Sequence, residues 1–235
     1  MDYVDFLRKH GYSKEIVRLA EGGIDVPKYT FKAPADPVFG FPPVLIPLWS
    51  NSAWPGYIGI SKHWFGPAHE SFVQFFVEDL SFVEIARSFQ QLKAWMVYDF
   101  LCNVPDFDEV GKFANSIGFC APEEVAAIFE GVSDVQDLTK LSVFGLDMPA
   151  ILKHPDRHGT PEWVVEAPRL NDTQVLIDKG FYEEAWYQLN STLVERSEVL
   201  KLLDALRSRA KEECAFRDLI ICWTESNAGA GSGHQ

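Results

Sequence analysis

The stretch VLIPLWSNSAWPGYIGISKHW, residues Val44–Trp64, decides the fold of this chain. Two runs within it, Val44–Trp49 and Tyr57–Ile60, are rich in β-branched and aromatic residues, which pack well on a pleated surface. The segment between them, Asn51–Gly56, consists mainly of residues that favour turns. A third apolar run follows at Ser71–Val77. The pattern predicts three strands of a small antiparallel sheet.

A helical pattern follows the third predicted strand and covers Leu80–Leu101. Ser81 with Glu84, and again Ser88 with Gln91, have the spacing of a capping box at a helix start. The apolar residues that recur at spacings of three and four, as on one helix face, are Phe82, Ile85, Phe89, Leu92, Met96 and Phe100. We predict one helix that packs across a face of the sheet.

Helical patterns dominate the chain after Asn103. The predicted helices are Phe107–Ile117, one opened by Pro122, one begun by Ser133 with Gln136, Thr173–Lys179, Tyr182–Ser191 and a long last helix at roughly Ser197–Trp223. The predicted fold class is α+β, a small antiparallel sheet with a packed helix in the N-terminal half and a mainly helical C-terminal half. We assign residues 1–104 to an α+β domain, 105–226 to an acidic helical domain and 227–235 to a disordered tail.

The composition indicates a soluble, cytoplasmic protein. The 235 residues are 47% hydrophobic, enough to fill a core, but no apolar run reaches the roughly 18–20 residues that cross a bilayer. The first residues, MDYVDFLRKH, carry charges where a signal peptide has an apolar segment. The four cysteines lack metal-binding spacing, and we expect thiols in the core: Cys102, Cys120, Cys214 and Cys222.

The charge of the chain is strongly negative and uneven. Its 34 acidic and 21 basic residues give a formal net charge of −13, so binding to nucleic acid over a general surface is not expected. Residues 1–100 hold 11 acidic and 9 basic residues, whereas residues 101–235 hold 23 and 12. The acidic surface therefore belongs mainly to the second half, and it favours basic partners.

No catalytic or cofactor motif is evident. The chain has no G-x-S-x-G and no glycine-rich phosphate loop. His63 and His69 form one close pair, and His154 and His158 form another around Pro155, but neither has a third ligand at a diagnostic distance. We therefore predict no metal, no cofactor and no catalytic residue. The alternative that stays open is a hydrolase that uses His63, His69 or His154 in a cleft between the halves.

The tryptophans of the central stretch give a second alternative, a glycan- or peptide-binding module. Trp54, beside Pro55 and near Trp49 and Trp64, would form a flat apolar platform. The competing interpretation places Trp49 and Trp64 in the core and leaves only Trp54 exposed.

The order of these elements resembles the SUKH superfamily. The matching segments are the strand Ile46-Pro47-Leu48, the strand Tyr57-Ile58-Gly59-Ile60 and the motif Ile85–Leu92, IARSFQQL. The resemblance covers about Phe39–Tyr98; the turn SNSAWPG departs from the usual glycine-rich turn, and the family's preceding helix motif is not evident. It implies an α+β fold and, in bacteria, commonly a role as the immunity protein that neutralises a polymorphic toxin.

We therefore expect a binding protein that occludes the active site of a cognate toxin or effector with a basic binding face. The acidic residues of the second half would complement that face, with one tryptophan as an aromatic anchor. The predicted partner-binding residues are Trp54, Asp106, Asp108, Glu109, Glu123, Glu124, Glu130, Asp134 and Asp137.

Overall fold

The computed structural model of the chain describes residues 1–24, 40–51, 56–66, 70–78, 81–103, 106–129, 134–161, 172–191 and 196–227. Its strands are β1 (Leu45–Asn51), β2 (Gly56–Ser61), β3 (Ser71–Phe76) and β4 (Ser81–Ala86). Its α-helices are α1 (Tyr3–Lys9), α2 (Lys14–Ala20), α3 (Phe89–Asn103), α4 (Phe107–Ser116), α5 (Pro122–Phe129), α6 (Ala150–Lys153), α7 (Thr173–Asp178), α8 (Tyr182–Ser191), α9 (Arg196–Arg207) and α10 (Glu213–Ser226). Short 3-10 helices cover Val135–Lys140, Ser142–Phe144 and Pro155–Arg157. The predicted α+β fold class is confirmed.

The sheet is antiparallel throughout and has the strand order β1-β2-β3-β4. The three predicted strands are confirmed as β1, β2 and β3, whose apolar residues pair across the sheet: Ile46 with Ile60, and Ile60 with Phe72. On the other side of β3, Phe75 lies opposite Phe82 of β4, with ring centroids 4.7 Å apart. Both residues are buried, so this cross-strand pair stabilises the inner face of the sheet.

The prediction of one helix over Leu80–Leu101 is wrong in its first part. Ser81–Ala86 forms β4 and pairs with β3, and the helix begins only at Phe89. The hydroxyl of Ser88 accepts a hydrogen bond from the Gln91 backbone N–H at 3.2 Å, so the second capping signal marks the true start. The backbone partners that β3 offers outweigh the local helical pattern.

The single long helix predicted at Ser197–Trp223 is also wrong. Residues 208–212 separate α9 from α10, and within this break the backbone N–H of Lys211 donates to the Trp64 carbonyl at 3.2 Å. Trp64 follows β2, so the chain turns here to pack against the sheet half. This tertiary contact outweighs the continuous helical periodicity.

Aromatic contacts connect the sheet half with the helical half. The ring of Phe100 on α3 lies 5.1 Å from that of Phe113 on α4, and Trp64 lies 5.5 Å from Phe216 on α10. Buried hydrophobic residues of both halves belong to one cluster. The division into two domains stays a prediction.

The end of α10 is part of the folded structure. Asn227, which the sequence assigns to a disordered tail, is buried, and its Oδ1 accepts a hydrogen bond from the Phe41 backbone N–H at 3.2 Å. Residues 228–235 lie outside the described residues.

The cysteines correct another expectation. All four are free thiols, but only Cys222 is buried, whereas Cys102, Cys120 and Cys214 are exposed. Cysteine is small enough to occupy a helix surface or a loop without disturbing the apolar pattern, so spacing does not predict its burial.

Candidate functional site

Seven of the nine predicted partner-binding residues lie on three elements of the C-terminal half that contact one another in sequence order, α4 with α5 and α5 with the first 3-10 helix. We call these residues the acidic face: Asp106, Asp108, Glu109, Glu123, Glu124, Asp134 and Asp137. All are exposed except Asp137, which is half-buried. Trp54 and Glu130 lie outside the described residues.

Two residues of the acidic face cap helices. Asp106 Oδ1 accepts hydrogen bonds from the backbone N–H groups of Asp108 at 3.0 Å and Glu109 at 3.3 Å at the start of α4. Asp134 Oδ1 accepts from the Gln136 backbone N–H at 2.9 Å. Such caps contribute about 1 kcal/mol to stability. Asp106 and Asp134 therefore stabilise the fold independently of any partner.

Two further residues form ion pairs on their own helices. Glu109 Oε1 lies 2.7 Å from Lys112 Nζ, and Asp137 Oδ1 lies 2.7 Å from Lys140 Nζ. The hydrogen bond that Lys112 donates to Glu109 raises the pKa of Lys112, and the charges of Asp108 and Asp106 raise it further. Lys112 therefore lies in a negative electrostatic field in α4, and its own positive charge neutralises part of that field.

The remaining three carboxylates have no hydrogen bond or ion pair with any other described side chain. They are Asp108 on α4 and Glu123 and Glu124 in the first turn of α5, all of them exposed. Acidic residues in a first turn are stabilised by the helix dipole, which explains their location without a partner. Their charge is nevertheless exposed to solvent, where it attracts cations and basic surfaces.

Behind the acidic face, α3 carries an acid that the sequence analysis missed. Burial raises the pKa of Asp99 to about 6. Its neighbour Tyr98 also has a raised pKa, caused first by burial, next by its hydrogen bond with Cys102 and to a smaller extent by the charges of Asp134 and Asp137. These two residues of the acidic face therefore lie close enough to α3 to act on one of its side chains. The available signal was an aspartate between Met96 and Phe100, two residues of the apolar helix face.

A cavity of about 240 Å³ lies where the loop after β2 meets the break between α9 and α10. Lys62 Nζ lies 3.0 Å from Glu70 Oε1 and 3.1 Å from Glu212 Oε2, so this cation is paired on two sides. The same ammonium lies 4.5 Å from the centre of the Trp64 ring. The cavity is lined by Lys62, His63, Trp64, Gly66, Glu70, Lys211 and Glu212.

His63 is the titratable group of this cavity that the hydrolase alternative requires. Its side chain is 8% exposed, and its Nδ1 accepts hydrogen bonds from the backbone N–H groups of Gly66 at 2.6 Å and Phe65 at 3.3 Å. The neutral ring therefore carries its proton on Nε2, which has no hydrogen-bond partner among the described residues.

Burial and, to a smaller extent, the charge of Lys211 lower the pKa of His63 to about 4. At neutral pH the ring is uncharged and its only free nitrogen already holds a proton, so it is poorly suited to act as a general base. Its bonds instead fix the turn at residues 63–66.

Neither His154 nor His158 lines the cavity at His63. His154 follows α6, His158 adopts a left-handed conformation with φ of 50°, and His69 lies outside the described residues. No three His, Cys, Asp or Glu side chains within the described ranges are grouped to hold a metal ion. Trp49 and Trp64 are buried, as the core interpretation of the tryptophan stretch predicts.

No protein-family model, curated protein or solved structure matches this chain. Within the described part of the chain, no helix combines the length and the apolar character that a membrane crossing requires.

Proposed function

We propose that this chain is a non-catalytic binding protein, an immunity protein that neutralises a cognate bacterial toxin or effector by occluding its active site. The observation that carries the proposal is the acidic face, in which Asp108, Glu123 and Glu124 are exposed and form no ion pair with another described side chain. A toxin that attacks nucleic acid is basic at its substrate cleft, and an acidic inhibitor associates faster and in a defined orientation with such a cleft.

The resemblance to the SUKH superfamily is a second support. Its first two motifs fall on β1 and β2, where Ile46 pairs with Ile60. Its third motif spans the junction at which β4 ends at Ala86 and α3 begins at Phe89. The short apolar motifs thus lie at neighbouring places in one sheet and its packed helix. We place the protein in the cytoplasm, with a protein partner and no nucleic-acid partner.

The test reverses charge on the acidic face. Its probe is the purified C-terminal domain of the toxin that we expect the neighbouring reading frame to encode. The variant Glu123→Lys/Glu124→Lys is compared with Glu198→Lys/Glu213→Lys, since all four residues are exposed glutamates in the first turn of a helix. The two variants therefore change net charge and helix-dipole interactions equally.

We expect the first variant to associate with the toxin domain about tenfold more slowly at low salt, with a weaker dependence on ionic strength. The control should stay within about twofold of the unchanged chain. Equal association rates for the two variants at every salt concentration would show that the acidic face takes no part in recognition.

A further inference from the structure

Leu146 stands fully in solvent on the loop between the second 3-10 helix and α6. Its exposure is 107% of the reference value, whereas the next large apolar side chains within the described residues, Phe107 and Phe181, reach 49%. A single exposed leucine is ordinary on a protein surface. Leu146 differs because the loop that carries it is fixed on both sides.

A buried amide fixes both arms of this loop. Gln91, at 3% exposure, donates from Nε2 to the Val143 carbonyl at 3.2 Å and to the Asp147 carbonyl at 2.8 Å. These carbonyls flank Leu146 in the chain. Phe144, between Val143 and Leu146, is buried in the core and anchors the first arm.

Charged contacts fix the second arm. Arg87 Nη1 donates to Asp147 Oδ1 at 3.0 Å, and its Nε donates to Glu84 Oε1 at 2.8 Å. Glu84 Oε2 in turn accepts a hydrogen bond from the Ala150 backbone N–H at 3.0 Å, at the start of α6. The loop is thereby tied to β4 and to α6, and the leucine is held away from the core.

The loop that carries this leucine adjoins an element of the acidic face. Asp147 is exposed beside Leu146, and the 3-10 helix Val135–Lys140, which carries Asp137, contacts both the 3-10 helix before the loop and α6. Gln136 Nε2 donates to the Ile151 carbonyl at 2.7 Å and holds that helix against α6. The fixed loop is therefore continuous with the acidic face.

We propose that residues 143–147, the Leu146 loop, are the anchor by which the chain docks onto its protein partner, with Leu146 in an apolar pocket bordered by basic residues. This inference rests on the proposed function, because it takes the partner to be a protein with a basic binding face. A loop held in one conformation loses little entropy on binding. Complete burial of a leucine side chain in an apolar pocket removes its apolar surface from water, which favours binding.

The test locates the contact first. The photoreactive residue p-benzoylphenylalanine replaces Leu146 in the full chain in its host cell, and it replaces exposed Glu198 in a control. Irradiation is expected to join a protein to residue 146 that is not joined to residue 198. That protein is then purified and used as the affinity probe.

We expect Leu146→Asp to weaken binding about 30-fold. Val175→Asp, which alters an exposed apolar residue of α7, should change affinity less than about twofold. The Leu146→Asp chain should keep the melting temperature of the unchanged chain, because its side chain is not buried.

The outcomes separate the two proposals. Absence of an adduct at residue 146, or equal affinity of the Leu146→Asp chain, overturns the anchor even where a toxin still binds and is inhibited. A captured protein that has no toxic activity, but whose affinity depends on Leu146, contradicts the immunity function and supports the anchor. Conversion of a dimer of this chain into monomers by Leu146→Asp overturns the anchor, since the occupant is then a second copy.

Discussion

Replacing Gln91 by alanine removes one buried amide that supports three parts of the molecule. Its Oε1 accepts a hydrogen bond from the Arg87 backbone N–H at 2.7 Å, and its Nε2 donates to the carbonyls of Val143 and Asp147. The alanine variant leaves these three backbone groups without their partner. At about 1 kcal/mol for each lost bond, the free energy of unfolding should fall by about 3 kcal/mol.

The neighbouring residue supplies a matched control. Gln90 lies on the same turn of α3 but is exposed, so Gln90→Ala should change the free energy of unfolding by less than about 0.5 kcal/mol. Urea unfolding followed by the fluorescence of the seven tryptophans measures both values. Hydrogen exchange should also become faster at residues 143–147 in the Gln91 variant alone. Equal stability of the two variants would refute the assigned role of the amide.

Three further variants test the packing and the titrating groups. Gly66→Ala should destabilise the chain by about 2 kcal/mol in the same urea titration, because a Cβ there would lie 2.8 Å from His63 Cε1 and 2.9 Å from the Glu183 carboxyl carbon. Gly111 lies in open space within α4, so Gly111→Ala should stabilise the chain by about 0.5–1 kcal/mol. Burial raises the pKa of Asp99 from 3.8 to about 6, so its ionisation costs stability as pH rises through that range. Asp99→Asn should therefore stabilise the chain by about 2 kcal/mol at pH 8 and have little effect at pH 3.5, and a gain that is independent of pH would contradict this origin. The lowered pKa of His63 has the opposite effect on stability. The neutral histidine stabilises the folded chain fully above pH 6.5, and this contribution is lost as the pH falls towards 4. His63→Asn should therefore make the free energy of unfolding less dependent on pH over that interval.

Local patterns were sufficient for the first three strands and for α4. The first two strands were predicted because their short runs are rich in β-branched and aromatic residues and turn-forming residues lie between them, and the helix Phe107–Ile117 was predicted because Gly118 follows it. Ser81–Ala86 was misassigned because SFVEIA fits a strand and a helix equally well, and because Ser81 with Glu84 has capping spacing. Its pairing with β3, which no local pattern contains, decided the outcome.

Part of the candidate site was predictable from local sequence patterns, and part of it was not. Exposure of the acids followed from their position at helix starts, and Asp106 shows why: it caps the helix that carries Asp108 and Glu109. The Leu146 loop was not predictable, since Gln91 holds carbonyls that lie 52 and 56 residues further along the chain. Such long-range hydrogen bonds leave no trace in spacing or composition.

The most direct test of the central claim is a titration of the toxin domain from the neighbouring reading frame with the purified chain, with toxin activity as the readout. We predict that activity falls linearly to zero and ends at one chain per toxin domain, without chemical change to either protein. A toxin domain that stays fully active when saturated with the chain would contradict inhibition by occlusion, and catalytic loss at far less than equimolar chain would contradict a binding role.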